Sequence, residues 1–165
     1  PTPINCLQIN SIKALLAAGS VVICAGGGGI PVAKNAGGQF TGLEAVIDKD
    51  LASALIAEQL DAELLVLATD VAGVYSHWPP QENDSDTKTH CHLQQATPEQ
   101  LQDLEFEAGS MAPKVAAACR FTTRTGKPAM IGHLNDLEQL LQQRSGTRII
   151  SRRDTNGARI SATGA

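Results

Sequence analysis

The sequence predicts an α/β fold, a three-layer sandwich with a mainly parallel sheet, and three observations support this prediction. Helix-like and strand-like segments alternate along the chain with short breaks, which is the order found in parallel sheets covered by helices. Residues 64–68 form a continuous apolar run, typical of a strand buried on both faces. Aromatic residues make up only 3% of the 165 residues, so Ala, Leu, Ile and Val must fill the core.

The composition argues against several classes of partner. A formal net charge of -4 and a pI near 5.5 disfavour a nucleic-acid or anionic-membrane surface, since such surfaces need an excess of basic residues. No apolar run approaches the roughly 20 residues that span a bilayer, and no signal segment opens the chain. We therefore expect no nucleic-acid or membrane partner and a cytoplasmic location. Because the chain begins with Pro1 and not with Met, we expect a fragment or a processed piece.

The first third of the chain predicts a helix followed by a strand. Ile12, Leu15 and Leu16 recur at helical spacing, and Gly19 follows them as a helix stop. The apolar, mostly β-branched run at 21–25 then predicts the first strand of the sheet.

Four consecutive glycines follow this strand: Gly26, Gly27, Gly28 and Gly29. Because glycine has no Cβ, the backbone N–H groups of such a turn can close around a small or anionic ligand. The run lacks the G-x-G-x-x-G register and is not followed by Gly-Lys-Ser/Thr, so it matches no common phosphate-binding motif. A tight turn that packs strand and helix closely together is an equally good interpretation.

The segments after the glycine turn predict a loop or small hairpin, three more strands and several helices. Residues 34–41 are rich in turn formers, and the apolar spacing from Leu51 to Leu60 predicts a helix with Asp48 and Asp50 near its positive end. The strand at 64–68 ends in polar residues, at the position where open α/β sheets bind ligands.

The remaining elements are predicted from capping and stop signals. Thr97, with proline next and glutamine three residues later, predicts a helix start, and the polar stretch 76–95 before it predicts a loop. The other predicted elements are a helix from about Pro113 to Gly126, a strand at 129–131, a helix near Leu137 to Gly146 capped by Asn135 and Asp136, an edge strand at 147–150 and a disordered tail at 151–165.

Two lysines and two aspartates are candidates for phosphate chemistry. Lys49 and Lys114 each lie beside a predicted helix start, where a cation opposes the helix dipole. A phosphate bound by both lysines would explain this placement, and Asp50 could orient their ammonium groups. Solvent-exposed lysine is the alternative for either residue. Asp70 could hold a ribose hydroxyl, a metal-bound water or a backbone N–H.

The sequence predicts no metal-ligand set and no nucleophilic triad. His90, Cys91 and His92 have no partner pair at ligand spacing, so we interpret them as surface polar residues and not as a zinc site. The four cysteines form no C-x-x-C motif, which favours reduced thiols. Ser110 lacks the second glycine of a nucleophile elbow.

Five separated segments, taken together in their order and spacing, resemble carbamate kinase of the amino acid kinase superfamily. The segments are residues 21–32 (VVICAGGGGIPV), 44–51 (EAVIDKDL), 69–75 (TDVAGVY), 109–115 (GSMAPKV) and 146–149 (GTRI). The resemblance covers nearly all of residues 1–150 and corresponds to the C-terminal, nucleotide-binding lobe of that family. It implies one lobe at 1–150, followed by the tail.

The resemblance implies phosphoryl transfer between ATP and carbamate, running toward ATP from carbamoyl phosphate and ADP, with Mg²⁺. By position, Lys49 and Lys114 would stabilise the transferring phosphoryl group, and Asp50 would orient them. The residues that would contact the nucleotide are Gly26, Gly27, Gly28 and Gly29 on the phosphate side and Thr69, Asp70, Val74, Tyr75, Met111 and Pro113 around the rest of the molecule.

The N-terminal half of that family, whose turns contact the carbamate and the transferred phosphate, has no counterpart in this sequence. The resemblance therefore implies a homodimer or an association with the missing half. Two alternatives stay open: a catalytically incomplete binding or assembly module, and a kinase that acts on a related amino acid or acylamino acid.

Overall fold

The computed structural model describes residues 1–76, 92–104, 106 and 111–152. Most of the predicted polar loop at 76–95 and of the predicted tail at 151–165 lies outside these residues. The chain divides into two compact units, Pro1–Ala62 and Glu63–Ala165. The single nucleotide-binding lobe at 1–150 stays a prediction.

The first unit contains two helices and a hairpin. Helix α1 (Ile9–Ala17) packs on helix α2 (Lys49–Leu60), and strands β1 (Val32–Lys34) and β2 (Phe40–Gly42) pair antiparallel. The side chain of Asn35 accepts hydrogen bonds from the backbone N–H groups of Gly37 and Gln39, at 3.0 Å each, and so shapes the hairpin loop. The predicted helices and the predicted small hairpin are confirmed.

The strand predicted at 21–25 is wrong. These residues have no regular secondary structure, and the side chains of Val21 and Ile23 are 95% and 97% exposed. A strand forms only where a neighbouring backbone supplies hydrogen-bond partners, and the one sheet among the described residues of this unit is the β1–β2 hairpin. The apolar run therefore has strand composition without strand pairing.

The second unit is built on a four-stranded sheet. Its strands are β3 (Leu65–Thr69), β4 (Gln95–Ala96), β5 (Ala129–His133) and β6 (Thr147–Ile149), in the spatial order β3-β5-β6-β4. The β3–β5 and β4–β6 pairs are parallel and the β5–β6 pair is antiparallel, so the prediction of a mainly parallel sheet is confirmed. The prediction of an edge strand at 147–150 is wrong, because β4, which the sequence did not reveal, pairs with its outer side.

Helices pack on this sheet and bury its apolar side chains. Helix α4 (Met111–Thr125) contacts β3, β5 and β6, and it buries the inner face that its spacing predicted, including Val115, Ala118 and Phe121. Helix α3 (Pro98–Gln102) begins with the predicted capping box of Thr97 and Gln100. A 3₁₀ turn (Leu134–Asp136) precedes α5 (Leu137–Leu141), which ends five residues before Gly146. Within the described residues, no helix has both the length and the apolar character to cross a membrane.

Candidate active site

The glycine turn lies against the segment that leads into helix α2. Gly26, Gly28 and Gly29 have φ angles of +47°, +136° and +84°, in the region that favours glycine. A Cβ at Gly28 would overlap the carbonyl group of Ile47, which comes directly before Asp48. The conformation therefore fits the interpretation as a tight turn, and it brings the turn to the beginning of α2. Ligand binding by the four glycines stays a prediction.

The start of α2 holds the first candidate lysine and its carboxylate. Asp48 caps the helix, since its Oδ1 accepts hydrogen bonds from the N–H groups of Asp50 (2.9 Å) and Leu51 (3.0 Å). Lys49 Nζ lies 3.5 Å from Asp50 Oδ2, and the two side chains are 58% and 9% exposed. The carboxylate is thus anchored in the protein while the ammonium group reaches solvent. This is the geometry that an orienting role of Asp50 toward Lys49 requires.

The second candidate lysine lies in the first turn of α4. Lys114 is only 5% exposed, so the alternative of a solvent-exposed lysine is wrong for this residue. The helix includes Met111–Thr125 among the described residues, and Pro113 lies near its predicted start, where proline interrupts no helical hydrogen bond. A buried ammonium group is costly unless polar or charged groups compensate it, and a role of Lys114 in phosphate binding stays a prediction.

The turn at 69–75 follows β3 and is fixed by contacts from the rest of the sheet. The Thr69 hydroxyl donates to Asp70 Oδ1 at 3.1 Å, and Asp70 is exposed. Val74 is fully buried; its N–H donates to Thr147 Oγ1 at 2.8 Å, and its carbonyl accepts the Leu93 N–H at 2.8 Å. The end of the turn is therefore held rigidly, while its beginning faces solvent.

Thr147 and His92 are structural partners of this turn that sequence reasoning missed. The Thr147 hydroxyl donates to the Leu93 carbonyl at 2.5 Å, and a Cβ at Gly73 would overlap His92 Nε2 and approach Thr147 Oγ1 to 2.7 Å. The ring of His92 lies 5.4 Å from that of Tyr75, and burial lowers the pKa of His92. His92 is half-buried among the described residues, with its ring packed against Tyr75, whereas His90 and Cys91 lie outside them.

A cleft opens at the carboxyl ends of β3 and β5. It has a volume of about 270 Å³, and its lining residues are Ala68, Thr69, Asp70, His133, Leu134 and Asn135. His133 Nδ1 accepts a hydrogen bond from the Asn135 N–H at 3.1 Å and caps the 3₁₀ turn, whereas Asp136 occupies the N-cap position of α5 without a capping hydrogen bond from its side chain. This is the edge of the sheet at which Thr69 and Asp70 were predicted to meet a ligand.

The candidate residues fall into both compact units. The glycine turn, Lys49 and Asp50 belong to the first unit, whereas residues 69–75, Met111, Pro113 and Lys114 belong to the second. Their convergence on one ligand stays a prediction. Within the described ranges, no group of three or more His, Cys, Asp or Glu side chains could form a metal cage.

Comparisons with known proteins identify the family. A model of the amino acid kinase family matches residues 2–133, which is most of the chain. The chain belongs to the amino acid kinase family. Among individual members, it is 45% identical over 149 residues to the carbamate kinase of Haemophilus influenzae, and 45% identical over 153 residues to that of Rhizobium meliloti. These alignments cover 90% and 92% of the chain but only 46% and 45% of the two relatives.

Solved structures of other kinases agree with the fold. The carbamate kinase from Giardia lamblia bound to AMP-PNP has a TM-score of 0.82 at 35% identity, covering 92% of this chain and 52% of that protein. The UMP kinase from Bacillus anthracis, at 17% identity and a TM-score of 0.58, shares the fold alone. The predicted resemblance to carbamate kinase and the predicted α/β fold are confirmed. The chain spans about half the length of the relatives it matches.

Proposed function

We propose that this chain is the nucleotide-binding lobe of a carbamate kinase, an enzyme that transfers a phosphoryl group between ATP and carbamate. The physiological direction in this proposal runs from carbamoyl phosphate and ADP to ATP. The observation that carries the proposal is the ion pair between Lys49 and the buried Asp50 beside the glycine turn, in a chain 45% identical to a carbamate kinase over 90% of its length.

The chemistry needs positioned positive charge more than a covalent nucleophile, because a transferring phosphoryl group spreads negative charge over its equatorial oxygens. In the proposed mechanism, the ammonium groups of Lys49 and Lys114 stabilise this charge. Asp50 holds the Lys49 ammonium in place, so that the lysine does not have to be ordered at the moment of reaction. The glycine turn offers backbone N–H groups to the phosphate side of the nucleotide.

ATP and ADP are the proposed nucleotides, and Mg²⁺ is the proposed ion. Residues 69–75 together with Met111 and Pro113 would border the nucleotide. Mg²⁺ is usually held by one or two carboxylates together with substrate phosphates and water. It does not need a cage of protein ligands, and the described residues contain none. The proposed ion would therefore enter the site bound to the nucleotide. Bound there, Mg²⁺ would neutralise phosphate charge.

The acceptor side of the reaction is proposed to come from another polypeptide segment. The relatives are about twice as long as the matched region, and carbamate or carbamoyl phosphate would contact the part of a carbamate kinase that this chain does not match. In this proposal the chain forms a homodimer or associates with a polypeptide that supplies the missing half. The proposed location is the cytoplasm. A related kinase with an amino acid or acylamino acid acceptor would use the same nucleotide lobe.

Isothermal titration of the chain with Mg-ADP tests the proposal. Lys49→Ala and Lys114→Ala should each weaken binding by about 10- to 100-fold, since a hydrogen bond to a charged group contributes ~1.5–3 kcal/mol. Lys13→Ala, which removes an exposed charge from α1, is the matched control and should bind as the wild type does. A folded wild-type chain, judged by circular dichroism, that binds no Mg-ADP would overturn the proposal.

An assembly module is the second candidate, and the exposed apolar side chains favour it. Val21, Ile23 and Ile30 are 95%, 97% and 89% exposed, an arrangement that promotes association with another surface. Sedimentation across a range of concentrations tests this candidate. A module of this kind should self-associate or co-sediment with a partner, whereas a strictly monomeric chain without a recoverable partner would contradict it.

A further inference from the structure

The imidazole ring of His92 lies directly on the backbone of the turn at 69–75. A Cβ at Gly73 would overlap His92 Nε2 and approach His92 Cδ2 to 3.0 Å, so only a residue without a side chain lets the ring come this close. The ring also packs on Tyr75, with 5.4 Å between the two ring centroids. His92 therefore contacts the turn at two positions, one on either side of Val74.

The backbone beside His92 is paired with the same turn. Tyr75 and His92 form an antiparallel bridge, and the Leu93 N–H donates to the Val74 carbonyl at 2.8 Å. On its other side, the Val74 N–H donates to the hydroxyl of Thr147. The end of the turn is thus held between β6 and the segment that carries His92, and the imidazole fills the space over Gly73.

This contact suits a neutral imidazole and disfavours a protonated one. Nε2 of His92 is buried and has no hydrogen-bond partner in the part of the chain that the structure describes. A neutral ring can leave this nitrogen without a proton. The protonated ring carries a proton on both nitrogens and would bury an unpaired cationic donor against Gly73. Burial lowers the pKa of His92, which is the direction that this argument requires.

The charged and titratable neighbours of the ring do not compensate a positive charge on it. Among the described residues, the turn and β6 supply Asp70, Tyr75 and Arg148. Asp70 is exposed at the opposite end of the turn, and Tyr75 contacts the imidazole through its own ring. Arg148 follows Thr147 and extends from the other face of β6, because side chains alternate along a strand. None of the three accepts a hydrogen bond from Nε2.

We propose that His92 is a positioning residue of the nucleotide lobe: its neutral ring holds the turn at 69–75 in the conformation that binds nucleotide, and proton uptake at Nε2 weakens that binding. The protonated ring gains by moving to water, and the space over Gly73 is then left empty. The apparent affinity falls with the fraction of molecules in which the turn is still held. The inference rests on the proposed nucleotide-binding function and adds a proton-linked residue to it.

The test measures Mg-ADP binding to the full chain by isothermal titration from about pH 8 to about pH 5, a range that brackets the ordinary histidine pKa. His92→Gln replaces the ring with a neutral side chain, and His92→Ala empties the space over Gly73. The double variant His92→Gln/Gln94→His is the matched control, because it moves the histidine two residues along the same segment to an exposed position. Mg-ADP changes its own protonation in this range equally for every variant, so the ratio of two affinities is the quantity compared.

The wild-type affinity should fall by about 3- to 10-fold relative to that of His92→Gln as the pH is lowered over this range. At the highest pH, His92→Ala should bind more weakly than the wild type. This difference should shrink on acidification, because protonation empties the same space in the wild type. The double variant should follow His92→Gln. Tyr75 is the only tyrosine of the chain, and its ring NMR signals should titrate with the same midpoint as the wild-type affinity.

The contrary outcomes separate the inference from the proposed function. If the wild type and His92→Gln show the same pH dependence, the inference is refuted and the proposed function stands. If the Tyr75 signals and the affinity titrate with different midpoints, His92 supports the turn without controlling nucleotide binding, and the inference is again refuted. A folded wild-type chain, judged by circular dichroism, that binds no Mg-ADP at any pH refutes both.

Discussion

The hydroxyl of Thr147 accepts a 2.8 Å hydrogen bond from the N–H of Val74, which lies 73 residues earlier in the chain. The same hydroxyl donates to the carbonyl of Leu93, so one buried side chain joins β6 to the turn at 69–75 and to the segment that pairs with it. A turn that is proposed to border a nucleotide is thereby tied at its end to the sheet.

Thr147→Val should destabilise the fold and loosen the turn at 69–75. Valine has nearly the same shape but leaves the Val74 N–H and the Leu93 carbonyl without this partner, which costs about 1–3 kcal/mol for each buried group that stays unsatisfied. Urea unfolding measures the loss, and amide hydrogen exchange at Val74 should become faster. Thr147→Ser keeps the hydroxyl and should retain most of the protection. Unchanged exchange at Val74 in the valine variant would contradict the assigned role.

Gly28→Ala should destabilise the first unit, whereas Gly27→Ala should not. The new Cβ at residue 28 would overlap the Ile47 carbonyl at a φ of +136°, while a Cβ at residue 27 meets no atom within 4 Å. We expect a loss of about 1–3 kcal/mol for the first variant, typical of overpacking and backbone strain. Thermal unfolding of the two variants measures the difference. Equal stability would mean that the turn does not pack on the entry to α2.

The free energy of unfolding should fall as the pH is lowered through the titration range of His92. Burial lowers the pKa of His92 from 6.5, so the unfolded chain binds a proton before the folded chain does. The folded protein favours the neutral form of His92, so its full stability is present at a pH above the unfolded pKa of 6.5. Stability is lost as the pH falls from 6.5 toward the lowered pKa of the folded state, because the unfolded chain takes up the proton first. Urea unfolding across this range should give a smaller pH dependence for His92→Gln than for the wild type. A histidine NMR titration at or above 6.5 would contradict the expected direction.

Cys119 should be protected from alkylation in the folded protein. Partial burial in α4 raises the pKa of its thiol to about 11, with a further contribution from the charge of Glu99, so little reactive thiolate exists at neutral pH. Cys24 is exposed and supplies the internal control. Iodoacetamide labelling followed by peptide mass spectrometry should modify Cys24 first and Cys119 only after denaturant is added. Rapid labelling of Cys119 without denaturant would contradict this expectation.

Local signals predicted most of the fold. The capping box of Thr97, the acidic start of α2 and the buried run that became β3 depend on residues close together in sequence, and each was found where it was expected. The pairing of strands depends on distant backbone and did not follow from composition. Val21 and Ile23 have strand propensity but no strand, and the two-residue strand β4 gave no sequence signal.

The candidate site could be predicted in part for the same reason. Lys49, Asp50 and Lys114 were selected by helix position and by resemblance, and the Lys49–Asp50 contact follows from their adjacency. The sheet alone brings three further residues to the site. Thr147 and His92 contact the turn at 69–75, and His133 lines the cleft. No local sequence pattern pointed to them. The glycine-threonine pair at 146–147 belonged to the resemblance, but its chemistry became clear only from the contact with Val74.

The reversed direction of β6 has a practical use. β3 and β5 end at the edge of the sheet that carries the cleft, whereas β6 runs antiparallel to β5, begins at that edge and leaves the sheet at the opposite one. Ser151 therefore lies across the sheet from Asp70 and His133. A fluorophore or a surface tether attached through a cysteine at Ser151 should leave the cleft open to solution, which makes this position the natural anchor for single-molecule or biosensor measurements on the lobe.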